Sequence, residues 1–246
     1  MSVNETYYHK HYTVHWRREG DPWCCEFSGT PIEMIRFDFE TDPHSVIIRY
    51  RSGEQYSWGC KYITSYIRQF GISVSPDGEK VFLQTWETGL FCFSARTGES
   101  LWRTKSRRGV TDIFVGDDTL TVQLHDYGMM LLSMETGEVL KEKRPYGVWG
   151  FTAIDHKYLI TAHRKWDLIR AETLEVVEQF SRKDFTGNHP DFTVNHISRA
   201  NDGRICVKGF HNINDYSARP IKTVETLHFE HFVESEVLQL EGSKDL

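Results

Sequence analysis

The chain has 246 residues, of which 39 % are hydrophobic and 26 % charged, with a formal net charge of -6. That is too apolar for a disordered chain, and too acidic for a general nucleic-acid binder, which needs a basic surface to neutralise phosphates. The length fits one large all-β domain, and the fifteen Phe, eleven Tyr and seven Trp favour pleated, half-buried strands.

The first twenty residues lack the apolar core of a secretion signal, and no later stretch reaches membrane-spanning length. The expected location is the cytosol, with no membrane partner. Within this segment His9, His11 and His15 would share one face if Tyr8 to Trp16 formed a single strand. Imidazoles so placed suit zinc or copper, but no carboxylate or thiolate lies nearby in sequence, so no metal is assigned. Further on, Ile35, Phe37 and Phe39 alternate with Arg36 and Asp38, as in a strand with one wet face. A turn containing Pro43 precedes a second strand, Val46 to Tyr50, and Arg51-Ser52-Gly53-Glu54 turns the chain into a third, Gln55 to Trp58.

From residue 79 the chain repeats itself. Residues 79 to 102, 118 to 141 and 156 to 178 align, and Gly89/Gly128, Thr97/Thr136, Gly98/Gly137 and Leu101/Leu140 are each 39 residues apart. Each copy reads as polar turn, strand, tight turn, strand, Thr-Gly-Glu turn, strand, the pattern of linked hairpins. Gly98 and Gly137 suit turns that need positive φ; Leu174 holds that slot in the third copy, whose turn is therefore expected to differ. Asn201-Asp202-Gly203 before Arg204 to Val207 opens a fourth copy. A unit of this kind cannot bury both faces alone, and radial stacking solves that problem.

These residues carry a resemblance. Ile72-Ser73-Val74-Ser75-Pro76-Asp77-Gly78 resembles the opening of WD-repeat blades, and Thr97-Gly98-Glu99-Ser100-Leu101-Trp102 resembles the ending of blades in quinoprotein-dehydrogenase-like propellers. The resemblance covers residues 70 to 210 and implies an all-β, single β-propeller over residues 1 to 246, with its clearest repeats at 70–107, 108–146, 147–184 and 185–225. The Gly-His pair of WD repeats is absent. The terminal Trp of the quinoprotein-type blade stands at Trp102 alone among the three copies, Lys141 and Glu178 taking the other slots. Length allows five or six blades. Five fits better, because the N-terminal region reads as one blade plus a closing strand, and Thr223 to Phe229 and Val233 to Leu240 offer strands to close the ring.

Candidate binding positions follow from the repeat. Trp86, His125 and His163 are equivalent, at the end of the first strand of each unit, just before the tight turn. They read as a ring at one end of the channel, by packing or by ligand recognition. His211, Asn212, Asn214 and Asp215 form the richest polar cluster, in an expected loop of the fourth copy. Arg103, Lys105, Arg107 and Arg108 read as a solvated inter-blade loop. Five cysteines without a CxxC pair fit buried free thiols. No GxSxG, P-loop, GxGxxG or HExxH motif is present. The expected function is a monomeric, non-catalytic propeller that binds another protein, in particular an inhibitor or immunity-type protein against a bacterial toxin, without cofactor. The alternative is a small-molecule or glycan binder, or a hydrolase or lyase with residues scattered over the blades.

Overall fold

A computed structural model describes residues 5–17, 24–63, 71–85, 89–104, 109–124, 128–143, 151–153, 156–162, 165–181, 192–199, 205–211 and 224–229. β1 (Glu5–Tyr8), β2 (Thr13–Arg17), β3 (Cys24–Ser28), β4 (Ile32–Asp38), β5 (Ser45–Tyr50) and β6 (Gln55–Gly59) form a six-stranded antiparallel meander. Three four-stranded sheets follow. The second sheet holds β7 (Ile72–Val74), β8 (Lys80–Thr85), β9 (Gly89–Ser94) and β10 (Ser100–Arg103). The third holds β11 (Val110–Val115), β12 (Thr119–Leu124), β13 (Met129–Ser133) and β14 (Val139–Lys143). The fourth holds β15 (Phe151–Ala153), β16 (Tyr158–Ala162), β17 (Lys165–Arg170) and β18 (Val176–Ser181). β19 (Phe192–Arg199), β20 (Ile205–His211) and β21 (Val224–Phe229) make a three-stranded sheet. No helix occurs among the described residues, so none is long and apolar enough to cross a membrane.

The first strands of the later sheets meet one another. β11 packs on β7 and β8, β15 on β11, and β19 on β15. This radial stacking of antiparallel meanders is a β-propeller, as the repeat led us to expect. Its core runs between the sheets: Phe82, Phe91, Phe93, Leu120 and Leu132 are buried with Ile35, Phe37 and Ile48 of the first sheet.

The Thr-Gly-Glu turns set the spacing of the blades. Gly98 and Gly137 both have φ of 70°, and their N–H groups donate to Ser94 O and Ser133 O at 2.9 Å. A Cβ on Gly98 would stand 2.5 Å from the ring of Trp58, and one on Gly137 2.5 Å from the ring of Trp102. Each indole also donates its Nε1–H to the adjoining turn, Trp58 to Ala95 O and Trp102 to Met134 O, both at 3.0 Å. Thus a tryptophan from the outermost strand of one blade docks on the turn of the next. Glycine is required twice over, by backbone sign and by ring contact. Trp58 is a second member of the Trp motif, in a region where the repeat had faded from the sequence.

The third copy corrects an expectation. Leu174 has φ of 57°, its N–H donates to Arg170 O at 3.0 Å, and Arg170 N–H donates to Glu175 O at 2.9 Å. The hydrogen bonds match those of the glycine turns, so the turn is the same one carrying a side chain. Leu174 is 2 % exposed and packs in a cluster with Phe114, Leu131, Phe151 and Ile169. No indole arrives from β14. Instead Lys141 Nζ donates to Thr173 O at 2.8 Å and Lys143 Nζ to Leu174 O at 3.5 Å.

The N-terminal region departs from one blade plus a separate closing strand. Trp58 ends β6 as Trp102 ends β10, so β3–β6 correspond to β7–β10. β1 and β2 then continue the same sheet beyond its inner edge, and among the described residues no ladder joins them to β19–β21. Nor is Tyr8 to Trp16 one strand: it bends at His9–Tyr12, where His9 N–H donates to Tyr12 O at 2.9 Å. The bend breaks the alternation that would have put His9, His11 and His15 on one face.

Candidate functional site: the axial hairpin and the turn face

An inner strand exposes one edge to the propeller axis, and its backbone groups there need partners. The tip of the β1–β2 hairpin supplies them. Tyr12 Oη donates to Val74 O at 2.7 Å and accepts from Val74 N–H at 3.0 Å, so a phenol stands in for a whole peptide unit at the end of β7. At the end of β11, Lys10 N–H donates to Val115 O at 3.0 Å, and Val115 N–H donates to His9 Nδ1 at 3.1 Å. On the far side, His156 Nδ1 donates to His9 O at 2.5 Å, and its ring meets Tyr8 edge-on at 5.6 Å. One turn of chain thus touches the second, third and fourth blades together.

Electrostatics hold the tip in place. His9 and Tyr12 are 3 % and 1 % exposed, with ring centroids 4.5 Å apart. Because Nδ1 accepts from a backbone N–H, His9 is the Nε2–H tautomer, and Ser73 Oγ lies 3.4 Å from that nitrogen. Burial, reinforced by the nearby His156, pushes the imidazole pKa down to about 3, so the ring is neutral. Burial likewise raises the Tyr12 phenol. Around this neutral core runs a charged collar. Lys10 Nζ pairs with Asp117 and, at 2.7 Å, with Glu172, while His11 Nε2 meets Asp117. Partial burial opposes the Lys10 charge, but hydrogen bonds to the two carboxylates outweigh it and raise its pKa. Hydrogen bonds from His11 and then Lys10 lower that of Asp117.

Outside the collar, the same end of the propeller carries the blade turns. Glu99, Glu138 and Glu175 recur at the position after the left-handed residue, and all three are exposed. Glu79, Asp118 and Glu135 are exposed on neighbouring turns. The cations there are largely engaged. Lys80 pairs with Glu135 at 2.8 Å, joining the second and third blades. Arg96 lies 5.2 Å from the ring centres of both Tyr50 and Tyr56, with Glu54 and Glu79 each at 3.7 Å. The face is therefore acidic, with a Tyr-Arg-Tyr stack at one seam. A second surface lies on the circumference, where β10, β14 and β18 end their sheets. There Leu101, Val139, Leu140 and Val176 are 45 %, 55 %, 57 % and 38 % exposed.

Of the positions singled out from the repeat, Trp86, His125, His163, Asn212, Asn214 and Asp215 lie outside the described residues. His211 is described only as the last backbone position of β20, opposite Phe192. The residues that reasoning from sequence missed are Tyr12, Lys10 and Trp58. Trp58 had a signal, a Gly-Glu turn leading into an aromatic strand end, since Ser52-Gly53-Glu54 precedes it as Thr97-Gly98-Glu99 precedes Trp102; Lys10 and Tyr12 had none. Among the described residues no cluster of His, Cys, Asp and Glu could hold a metal ion. Cys25, Cys60 and Cys92 are buried free thiols, and burial pushes the Cys92 pKa up to about 12, the mark of an unreactive thiol.

No family model and no curated protein matches this sequence. Among solved structures, the chain is similar to the β-propeller domain of Cps50 (Swd1) from Myceliophteria thermophila. The identity is 9 % over 94 % of this chain and 88 % of that one, with a TM-score of 0.56. It is also similar to BamB from Moraxella catarrhalis, at 11 % identity and a TM-score of 0.49 over 86 % of this chain, and it spans 60 % of the length of that protein. At 9 % identity the likeness to the Cps50 propeller establishes the fold, while function has to be argued from the site.

Proposed function

We propose that this propeller is a non-catalytic, cytosolic module that binds another protein through its acidic turn face. The observation that carries the reading is the set of exposed carboxylates that recurs on the blade turns. Exposed Glu99, Glu138 and Glu175, recurring at one depth on successive blades, make a negative surface that suits a basic partner and steers its approach. The Tyr50–Arg96–Tyr56 stack provides the residue types that anchor interfaces. Within this class, an inhibitor or immunity-type protein that neutralises a basic bacterial toxin fits the charge.

The test is affinity isolation of the tagged chain from its native cells, followed by size-exclusion chromatography and mass spectrometry. The expected result is one basic protein co-eluting at fixed stoichiometry, with affinity falling as salt rises and lost in the triple variant Glu99→Lys, Glu138→Lys, Glu175→Lys. If that partner is toxic alone and harmless in the complex, the immunity-type reading stands. A clean monomer, or a partner indifferent to the charge reversal, overturns the turn-face reading.

A further inference from the structure

We propose that the β1–β2 hairpin tip is a proton-released latch: in mild acid it leaves the axis while the blades remain folded, uncovering the inner ends of β7 and β11. This inference is independent of the partner-binding reading.

The geometry supplies the latch. The polar contacts that hold the tip are concentrated in four residues, His9 to Tyr12, and run to other blades, while the Tyr12 ring also packs near Phe27 of its own sheet. They are the two Val74 bonds to Tyr12 Oη, the two Val115 bonds to Lys10 and His9, the His156 bond to His9 O, and the pairs of Lys10 and His11 with Asp117 and of Lys10 with Glu172. Removing the tip leaves every blade's own ladders intact, because β7 and β11 pair within their sheets to β8 and β12. It bares the backbone edges of Val74 and Val115 and frees Asp117 and Glu172 from Lys10.

The trigger is His9. Its Nδ1 is occupied by the Val115 N–H, and a proton placed there would set two donors against each other. In the closed state burial and His156 hold its pKa near 3; a released imidazole returns to the ordinary histidine range, about 6.5. Opening therefore takes up one proton over that interval. Closure is strongest above pH about 6.5 and weakens by about tenfold for each pH unit below it. The other groups around the tip do not reverse this. The Asp117 pKa is lowered by His11 and then Lys10, so its contribution is also lost on acidification, at lower pH. The pKa values of Lys10 and Tyr12 are raised, so they act only on the alkaline side. His11 faces Asp117, His156 faces a carbonyl oxygen, and Glu172 faces Lys10.

Residue-resolved amide hydrogen exchange on the full chain between pH 7.5 and 5.0, corrected for the intrinsic pH dependence of exchange, tests the latch. The expected result is that protection of the Lys10, Val74 and Val115 amides falls about tenfold per pH unit below about 6.5 while amides in β8 and β12 keep theirs. His9→Asn, whose amide oxygen can accept from Val115 N–H without ionising, should flatten that slope. Lys10→Met should lower tip protection at every pH and leave the slope. The latch is overturned if the tip amides hold their protection to pH 5, if the core loses protection with the same slope, or if His9→Asn keeps the wild-type slope.

Discussion

Two kinds of seam hold adjacent blades, and they solve one packing problem in opposite ways. At the first and second seams the bulk comes from the neighbour: Trp58 or Trp102 fills the space over a turn whose glycine has no side chain. At the third seam the turn itself brings the bulk, Leu174, and the neighbour contributes only lysine ammoniums bonded to its carbonyls. The backbone turn is the same in all three. Volume is conserved across the seam rather than at either position, so Trp with Gly and Lys with Leu are coupled choices. The Leu solution keeps a side chain in the left-handed region, at a cost of about 1–2 kcal/mol. It also forgoes the indole hydrogen bond, a net contribution of about 1 kcal/mol. The third seam should be the weaker one.

The sharpest way to break this comparison is to remove an indole. Trp58→Ala should cost about 3–5 kcal/mol in urea unfolding, since it leaves a cavity above Gly98 and an unpaired Ala95 carbonyl. A loss near zero would mean that the first seam is not held by its tryptophan. Next come Gly98→Ala and Gly137→Ala. Left-handed strain and the displaced ring together should destabilise by about 2–4 kcal/mol, whereas Ala at a glycine with negative φ is normally harmless or helpful. The coupling itself is measured by a double-mutant cycle on the third seam. Lys141→Trp and Leu174→Gly are each expected to destabilise, and together to recover about 1–2 kcal/mol relative to their sum. Strict additivity would show that the two positions do not share a volume. The smallest effect concerns Lys143, whose pKa burial holds below the ordinary lysine value. Its folded form binds fewer protons than its unfolded form in the alkaline window just below about 10.5. Wild-type stability should therefore rise with pH there relative to Lys143→Met, and at pH 7 the variant should lie within about 0.5 kcal/mol of wild type. Parallel pH profiles for the two proteins would contradict the burial of this ammonium.

Much of this was legible along the chain, because the repeat is local. The turns at Gly98 and Gly137 and the strands between them follow from spacing and residue type, since hairpins are built from neighbours in sequence. The Leu174 turn was misread, because residue type was allowed to decide φ when the surrounding hydrogen bonds, Leu174 to Arg170 and Arg170 to Glu175, enforce it. For His9, His11 and His15 the condition of a single strand fails for the complementary reason. Strand alternation was extended through a bend whose cause, the ends of β7 and β11, lies about a hundred residues away for Val115.

What the sequence alone determined is the propeller: a unit with two apolar faces, repeated, has to stack on copies of itself to remove both faces from water. The role of the first strands, whose hairpin tip caps blades remote from them in the chain, emerges only on assembly of the ring. Partners in that arrangement, a phenol for a peptide at Val74 and an imidazole for a carbonyl at Val115, are chosen by unpaired backbone groups that come together only when the ring is assembled.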